Sequence, residues 1–189
     1  MTLCPYFGSC GACTAQHIPY EIQLENKKAV LAHVLEKSGI ATVTTTGITA
    51  GITASTPGSL DIAVFHKEPY HYRNRMDFVF HTHGLGLRKK GRYNTIIPIE
   101  ACPISNNKLN TLLAEVQQWF HANGDRLEPF DLQKQTGTLK YCVIRAPEFT
   151  DDSSLSFVLN ADSFSIKEHL ELIRAFAQAT TAAATTITA

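Results

Sequence analysis

The sequence lacks long apolar runs, an excess of charge of either sign and a secretory leader pattern. No stretch of eighteen or more apolar residues occurs, which excludes an apolar membrane-spanning helix. Lysine plus arginine equals aspartate plus glutamate at 17 each, so no global basic excess indicates a nucleic-acid partner. The first residues show no basic segment followed by an apolar one. We therefore expect a cytoplasmic protein with no membrane partner, in a compartment that keeps thiols reduced.

What is present is ordinary for a protein with a buried core. The chain has 189 residues, of which 44% are hydrophobic and 18% charged. This length suffices for one substantial domain or two small ones. Residues 42–59 differ from the rest, since they are rich in threonine and contain the tandem GITAGITA at 47–54. We interpret this segment as an elaborated loop.

Hydrophobic periodicity predicts helices and hairpin strands in alternation. Helical spacing marks 19–38, a segment after Cys102, and a segment opened by Ser165 and Glu168 with capping-box spacing. Either Ser105 or Asn106 is predicted to cap the helix after Cys102. Strand-like alternation marks 75–81, 85–88, 94–99, 139–144, 155–159 and 185–188. Together these elements predict an α+β fold, in which an antiparallel sheet of hairpins carries packed helices.

The five cysteines are unevenly distributed. Cys4, Cys10 and Cys13 lie within ten positions, Cys102 follows almost ninety residues later, and Cys142 is the last. Three thiols in a short loop plus a distant fourth predict a four-thiolate site, which suits either zinc or an iron–sulfur cluster. A three-plus-one arrangement is more common for a cubane cluster than for a zinc finger. The alternative is that Cys102 is a core thiol, as most unpaired cysteines are.

Positive charge is concentrated in residues 67–92. This segment holds seven lysines and arginines against two carboxylates, a local excess of five. Tyr70 and Tyr72 lie among them, and Tyr93 follows directly. Cationic groups neutralise phosphates and planar rings stack on unpaired bases, which predicts contact with single-stranded RNA. Lys140 and Arg145 extend this surface if their strand lies beside the hairpin. The alternative is a solvated hairpin face with no ligand.

Three blocks of sequence, which together span nearly the whole chain, match a known family in the same order. The first is Cys4-x5-Cys10-Gly11-Ala12-Cys13; the second runs from Tyr72-Arg73-Asn74-Arg75 through Gly86-Leu87-Arg88-Lys89-Lys90 to Glu100-Ala101-Cys102-Pro103; the third is Gly137-Thr138-Leu139-Lys140-Tyr141 with Val143-Ile144-Arg145. These blocks resemble the RNA uracil-C5 methyltransferases, which use S-adenosylmethionine to make 5-methyluridine in tRNA and ribosomal RNA.

The resemblance implies a cofactor, a partner and a division of the chain. It implies a [4Fe-4S] cluster held by Cys4, Cys10, Cys13 and Cys102. It also implies an N-terminal iron–sulfur loop over 1–18 and an α+β RNA-recognition domain over 19–189. With the local charge, it makes tRNA or rRNA the expected partner. The predicted RNA-binding residues are Arg73, Arg75, Arg88, Lys89, Lys90, Arg92, Lys140 and Arg145.

Departures from the family pattern concern catalysis above all. Ala12 replaces a glycine common in the family, and the interval between Cys13 and Cys102 is long, which 42–59 explains. No glycine-rich strand–turn–helix fingerprint for the methyl donor occurs, and Cys142 is interpreted as a packing residue in a strand. We therefore predict no catalytic residue. The chain is expected to be a fragment that ends before a Rossmann-like domain, or to be completed by a separate catalytic polypeptide that binds S-adenosylmethionine.

Two other interpretations belong to different classes of protein. The alternative to the methyltransferase portion is a stand-alone zinc-binding module for nucleic acid or protein interaction, which would also use the thiols. An electron carrier would also need a cluster, but the basic segment disfavours it. Metal analysis distinguishes the methyltransferase portion from the zinc-binding module. Iron with acid-labile sulfide supports the methyltransferase portion, and one zinc per chain supports the module.

Overall fold

The computed structural model describes residues 3–40, 42–43, 59–150, 152–180 and 184–188. Contacts group the chain into two compact units, one made of 1–14 with 70–189 and the other of 15–69. The elements, in chain order, are α1 Tyr20–Lys37, β1 Thr42–Val43, β2 Ser59–Leu60, β3 Arg75–His81, β4 Gly84–Lys89, β5 Arg92–Pro98, α2 Asn107–Ala122, β6 Leu139–Arg145, β7 Ser154–Leu159, α3 Ile166–Ala179 and β8 Ala184–Thr188. Within these described ranges, no helix is both long and apolar enough to span a membrane.

The unit formed by 15–69 contains the first predicted helix. Helix α1 follows Pro19, and the Gln23 side-chain amide donates to the backbone oxygens of Ala15 (3.0 Å) and Ile18 (2.8 Å), which fixes the entry turn. Strands β1 and β2 pair in parallel, with Thr42 opposite Ser59. Most of the predicted loop 42–59 lies outside the described residues.

The other unit is built on one sheet with strand order β5-β4-β3-β6-β7-β8. The first five strands pair antiparallel, and β8 joins β7 in parallel after helix α3. The predicted α+β fold with an antiparallel sheet of hairpins and packed helices is therefore confirmed. The parallel edge strand is an addition, because the crossover through α3 returns the chain in the same direction as β7.

One face of the sheet carries the core. Alternation in β3 buries Met76, Phe78 and Phe80, as predicted, at 4%, 0% and 1% exposure. Helix α2 lies on this face with a fully apolar stripe, namely Leu109, Leu112, Leu113, Val116 and Phe120. Burial of these side chains is the main stabilising contribution to the fold. On the opposite face, cross-strand pairs juxtapose Arg75 with Arg145, Asp77 with Val143 and Val79 with Tyr141.

The two predicted helix caps have different outcomes. Asn106 caps α2, because its side-chain oxygen accepts from the Leu109 backbone N–H at 2.8 Å. The capping box predicted at Ser165 and Glu168 is wrong. Ser165 makes no cap hydrogen bond and its hydroxyl donates instead to Glu128 Oε1 at 3.1 Å, while Glu168 pairs with Arg126. Long-range polar partners thus replace the local reciprocal bonds.

Candidate nucleic-acid interface and thiol loop

A groove of ≈ 740 Å³ lies on the face of this sheet that is opposite helix α2. We call it the cationic groove, and its walls come from the start of β3, the β4–β5 hairpin and residues 4–13, which we call the thiol loop. Asp77 is its carboxylate, and Val79 and Leu87 are apolar lining residues. Its cationic side chains are Arg73, Arg75, Arg88, Lys89, Lys90 and Arg92. Six cations against one carboxylate make this surface strongly positive on a chain with no net charge.

Arg88 is held by two side-chain hydrogen bonds. Its Nη2 donates to the Tyr141 hydroxyl at 2.7 Å, and its Nη1 donates to the Tyr93 backbone oxygen. The guanidinium carbon lies 5.9 Å from the centroid of the Tyr141 ring. Arg88 therefore links β4 to both β5 and β6 at the groove.

Arg75 and Asp77 form an ion pair on β3. Arg75 Nε and Nη2 donate to the two carboxylate oxygens of Asp77, both at 3.1 Å. This hydrogen bonding and the charge of Asp77 raise the pKa of Arg75. Both side chains are about half exposed. The pair occupies the Arg75 guanidinium, so less of its positive charge is available to an anionic ligand.

Arg73 joins the groove to the segment that follows Cys102. Its backbone N–H donates to Ile104 O at 2.8 Å, and its oxygen accepts from the Asn106 N–H at 2.9 Å. Its Nη1 lies 3.4 Å from Met76 Sδ. Backbone pairing therefore fixes Arg73 between the cationic groove and the fourth predicted ligand.

The other two predicted RNA-binding residues do not line the groove. Arg145 lies opposite Arg75 in the β3–β6 register and donates to the Ser156 hydroxyl at 3.4 Å. The Lys140 ammonium lies 4.6 Å from the centroid of the Phe130 ring, a cation–π contact. Contact of these two side chains with RNA stays a prediction.

The thiol loop pairs directly with the basic hairpin. Cys10 and Lys89 form an isolated β-bridge, in which Gly11 N–H donates to Arg88 O and Lys90 N–H donates to Ser9 O, both at 2.9 Å. A Cβ at Gly11 would lie 3.1 Å from Arg88 O, so the close approach favours glycine there. The position of the loop and that of the groove wall are therefore coupled through the backbone.

Cys102 is held on the other side of the loop. Its N–H donates to Asn110 Oδ1 at 2.9 Å, and Asn110 Nδ2 donates to Cys102 O at 3.1 Å. The Tyr6 hydroxyl, from the thiol loop, accepts from the Glu100 N–H at 3.2 Å. Cys10 and Cys102 are both buried in the same core cluster, and Cys13 packs against it.

The four predicted ligands influence one another electrostatically. Burial raises the pKa of the Cys10 thiol, an effect that the Ala12 N–H opposes and negative charge at Cys102 and Cys4 reinforces. Burial also raises the pKa of Cys13, with further contributions from Cys102 and Cys10, while Arg73 lowers it. Four neighbouring thiols are the donor chemistry that zinc or an iron–sulfur cluster requires.

The ligand geometry itself is not formed. Among the described residues, no group of three or more His, Cys, Asp or Glu side chains is arranged to hold a metal ion. All five cysteines lie in the described ranges, and none forms a disulfide. The interpretation of Cys142 as a packing residue is confirmed, because it is fully buried and its burial strongly raises the pKa of the thiol.

Sequence reasoning did not select two residues that shape the groove, Tyr141 and Asp77. The available signal was strand alternation, since both point away from the face that carries Phe78 and Cys142. The partner of Tyr141, Arg88, is brought close only by the folded sheet. The partner of Asp77, Arg75, depends on the detailed path of β3.

The structure thus defines an α+β protein with a cationic groove joined to a cysteine-rich loop. Known proteins similar to it in sequence include RNA methyltransferases. No family model matches the chain. It is 26% identical over 155 residues to the tRNA (uracil(54)-C(5))-methyltransferase of Pyrococcus abyssi, covering 82% of this chain and 32% of that protein. It is 31% identical over 147 residues to an uncharacterized RNA methyltransferase of Caldanaerobacter subterraneus subsp. tengcongensis, covering 75% and 29%.

A solved structure shows the same fold. The crystal structure of the Pyrococcus abyssi tRNA (uracil-54, C5)-methyltransferase with S-adenosyl-L-homocysteine matches with a TM-score of 0.55 and 23% identity, over 78% of this chain and 31% of that one. The relatives found by sequence confirm the resemblance to the RNA uracil-C5 methyltransferases. The chain spans about a third of the length of these relatives. They give no support to a separate catalytic polypeptide.

Proposed function

We propose that this chain is the RNA-recognition and cluster-binding portion of an S-adenosylmethionine-dependent RNA (uracil-C5)-methyltransferase that forms 5-methyluridine in tRNA or rRNA. The observation that carries the proposal is the backbone bridge between Cys10 and Lys89. It unites the two features that such a portion needs, a loop of thiols and a cationic surface for RNA.

The cationic groove supports RNA as the partner. Phosphates are recognised by lysine and arginine, and unpaired bases by aromatic rings, and the groove combines both with an apolar floor. A protein–protein interface would instead be depleted of lysine at its centre. The lysines and arginines of the groove therefore favour a phosphate backbone as the ligand.

In this proposal Cys4, Cys10, Cys13 and Cys102 hold the [4Fe-4S] cluster. When bound, the cluster supplies a cationic centre that favours the thiolate form and joins the N-terminal loop to the segment at Cys102. Cys10 then fixes Lys89 through the backbone, Asn110 fixes Cys102, and Arg73 places a positive charge beside the thiolates. The role of the site is to shape the groove.

We propose that the methyl donor binds to a part of the enzyme outside this chain. The chain corresponds to about a third of the length of its relatives. Cys142, the one thiol outside the predicted ligand set, is fully buried and therefore inaccessible to a substrate. We retain the division into a cluster-binding loop over 1–18 and an RNA-recognition domain over 19–189 as part of the proposal. Methyl transfer then requires a further domain.

The test is metal analysis of anaerobically purified wild type and Cys102→Ser. We expect iron and acid-labile sulfide in the wild type, and loss of both together with a lower melting temperature in Cys102→Ser. Cys142→Ala is the matched control, because it removes a buried thiol outside the predicted ligand set and should retain iron. Full iron content in Cys102→Ser would refute the ligand assignment, and one zinc per chain would favour the zinc-binding module.

A further inference from the structure

We propose that Tyr141 is the floor of a subsite for one unpaired nucleobase, with the flanking phosphates bound by the β4–β5 hairpin. This inference rests on the proposed function and specifies its ligand: an RNA single strand with a base turned out of its stack, rather than an RNA duplex.

The position of Tyr141 follows from strand pairing. It lies opposite Val79 in the β3–β6 register, on the sheet face opposite helix α2, whereas its neighbour Cys142 faces the core. Tyr141, Val79 and Leu87 line the same groove. An aromatic ring bordered by aliphatic side chains is the environment in which a planar base gains contact area without needing particular hydrogen bonds.

The ring of Tyr141 is held in place before any ligand binds. Its hydroxyl accepts from Arg88 Nη2 at 2.7 Å, and Arg88 is itself fixed to the Tyr93 backbone. The ring therefore loses little conformational freedom when a base stacks on it, which favours binding. The same contact places a guanidinium at the hydroxyl end of the ring.

The hairpin turn supplies the phosphate contacts. Lys89, Lys90 and Arg92 surround Gly91, whose positive φ of 72° forms the turn. A Cβ at Gly91 would meet no atom within 4 Å, so the space beside the turn is open to a ligand. These cations line the same groove as Tyr141. A nucleotide whose base lies on the ring therefore has cations within the same groove for its phosphates.

A duplex does not meet these requirements. In an A-form helix the bases are paired and stacked inside, and the major groove is too narrow for side chains to read. The Tyr141 ring lies on the surface of β6 and is only partly exposed, so it contacts a base only when that base is splayed out. The subsite therefore selects unpaired nucleotides by shape, without selecting a sequence.

The experiment measures fluorescence anisotropy of the 189-residue chain with a labelled single-stranded RNA and with its blunt duplex. Tyr141→Leu should weaken single-strand binding at least about fivefold and leave duplex binding within about twofold, while Tyr141→Phe keeps the ring and most of the affinity. Phe164→Leu is the matched control, since Phe164 is fully exposed and does not line the groove. Circular dichroism checks folding.

A second measurement reports stacking directly. The fluorescence of 2-aminopurine, placed at successive positions of the single strand, should be quenched by the wild type and by Tyr141→Phe but not by Tyr141→Leu. Equal affinity of Tyr141→Leu and wild type for the single strand would overturn the subsite while leaving RNA recognition intact. Failure of the wild type to bind either RNA would overturn both proposals.

Discussion

Removal of the groove's carboxylate should tighten RNA binding. In the wild type, six cations and one carboxylate leave five net positive charges, and Arg75 is occupied by both oxygens of Asp77 at 3.1 Å. Asp77→Asn raises the net charge to six and releases the Arg75 guanidinium. Because both side chains are about half exposed, the change should cost little stability.

The expected size follows from counterion release. Each phosphate neutralised on a single strand contributes about 0.7 to the slope of log K against log salt, so the slope should steepen from about −3.5 to about −4.2. Two unit charges about 7 Å apart in water interact with roughly thermal energy, so affinity at low salt should rise about threefold.

The assay is anisotropy with a labelled single-stranded RNA at salt concentrations between about 50 and 200 mM. Arg75→Gln should weaken binding, because it leaves Asp77 unpaired in the groove. The double variant restores five net charges and should return close to the wild-type slope. Weaker binding by Asp77→Asn, or an unchanged slope, would show that phosphates do not bind in this groove.

Two further predictions concern stability. Gly86→Ala should lower the free energy of unfolding, measured by urea denaturation, by about 1–3 kcal/mol, because the added Cβ would lie 2.3 Å from Ile97 O. Gly124→Ala is the control, since a Cβ there meets no atom within 4 Å and stability should not change. Equal stability of the two variants would contradict the close approach of Gly86 to Ile97. Asn106→Ala should lower the free energy of unfolding by about 1 kcal/mol, because it removes the side-chain oxygen that accepts from the Leu109 N–H. Asn106→Ser keeps a capping oxygen and should retain most of the wild-type stability. Equal stability of these two variants would argue against the cap.

Local patterns predicted the elements that depend on local periodicity. The alternation of Met76, Phe78 and Phe80 identified both the strand and its buried face, and Asn106 had the residue type and position of a helix cap. In each case the decisive interaction joins residues that are close in sequence. The spacing of the first three cysteines likewise predicted a compact loop, and the basic count of 67–92 predicted much of the cationic groove.

Features that depend on distant partners could not be predicted in this way. The hydrogen bond between Arg88 and Tyr141 joins residues 53 positions apart, and the bridge between Cys10 and Lys89 requires the folded hairpin. A bulge between Leu139 and Tyr141 shifts the β6 register, so simple alternation does not give the orientation of every residue in that strand. The Ser165 capping box failed because Glu128 competed for the hydroxyl.

The bridge between Cys10 and Lys89 also has a consequence for the living cell. Two main-chain hydrogen bonds join the amino-terminal loop to a hairpin nearly eighty residues away in sequence. A displacement of the loop should therefore displace the hairpin as well. Under the proposed function, loss of the cluster when iron is scarce would therefore weaken RNA binding, before any methyl transfer takes place. Nutrient supply and nucleotide modification would then be linked by a single short stretch of backbone.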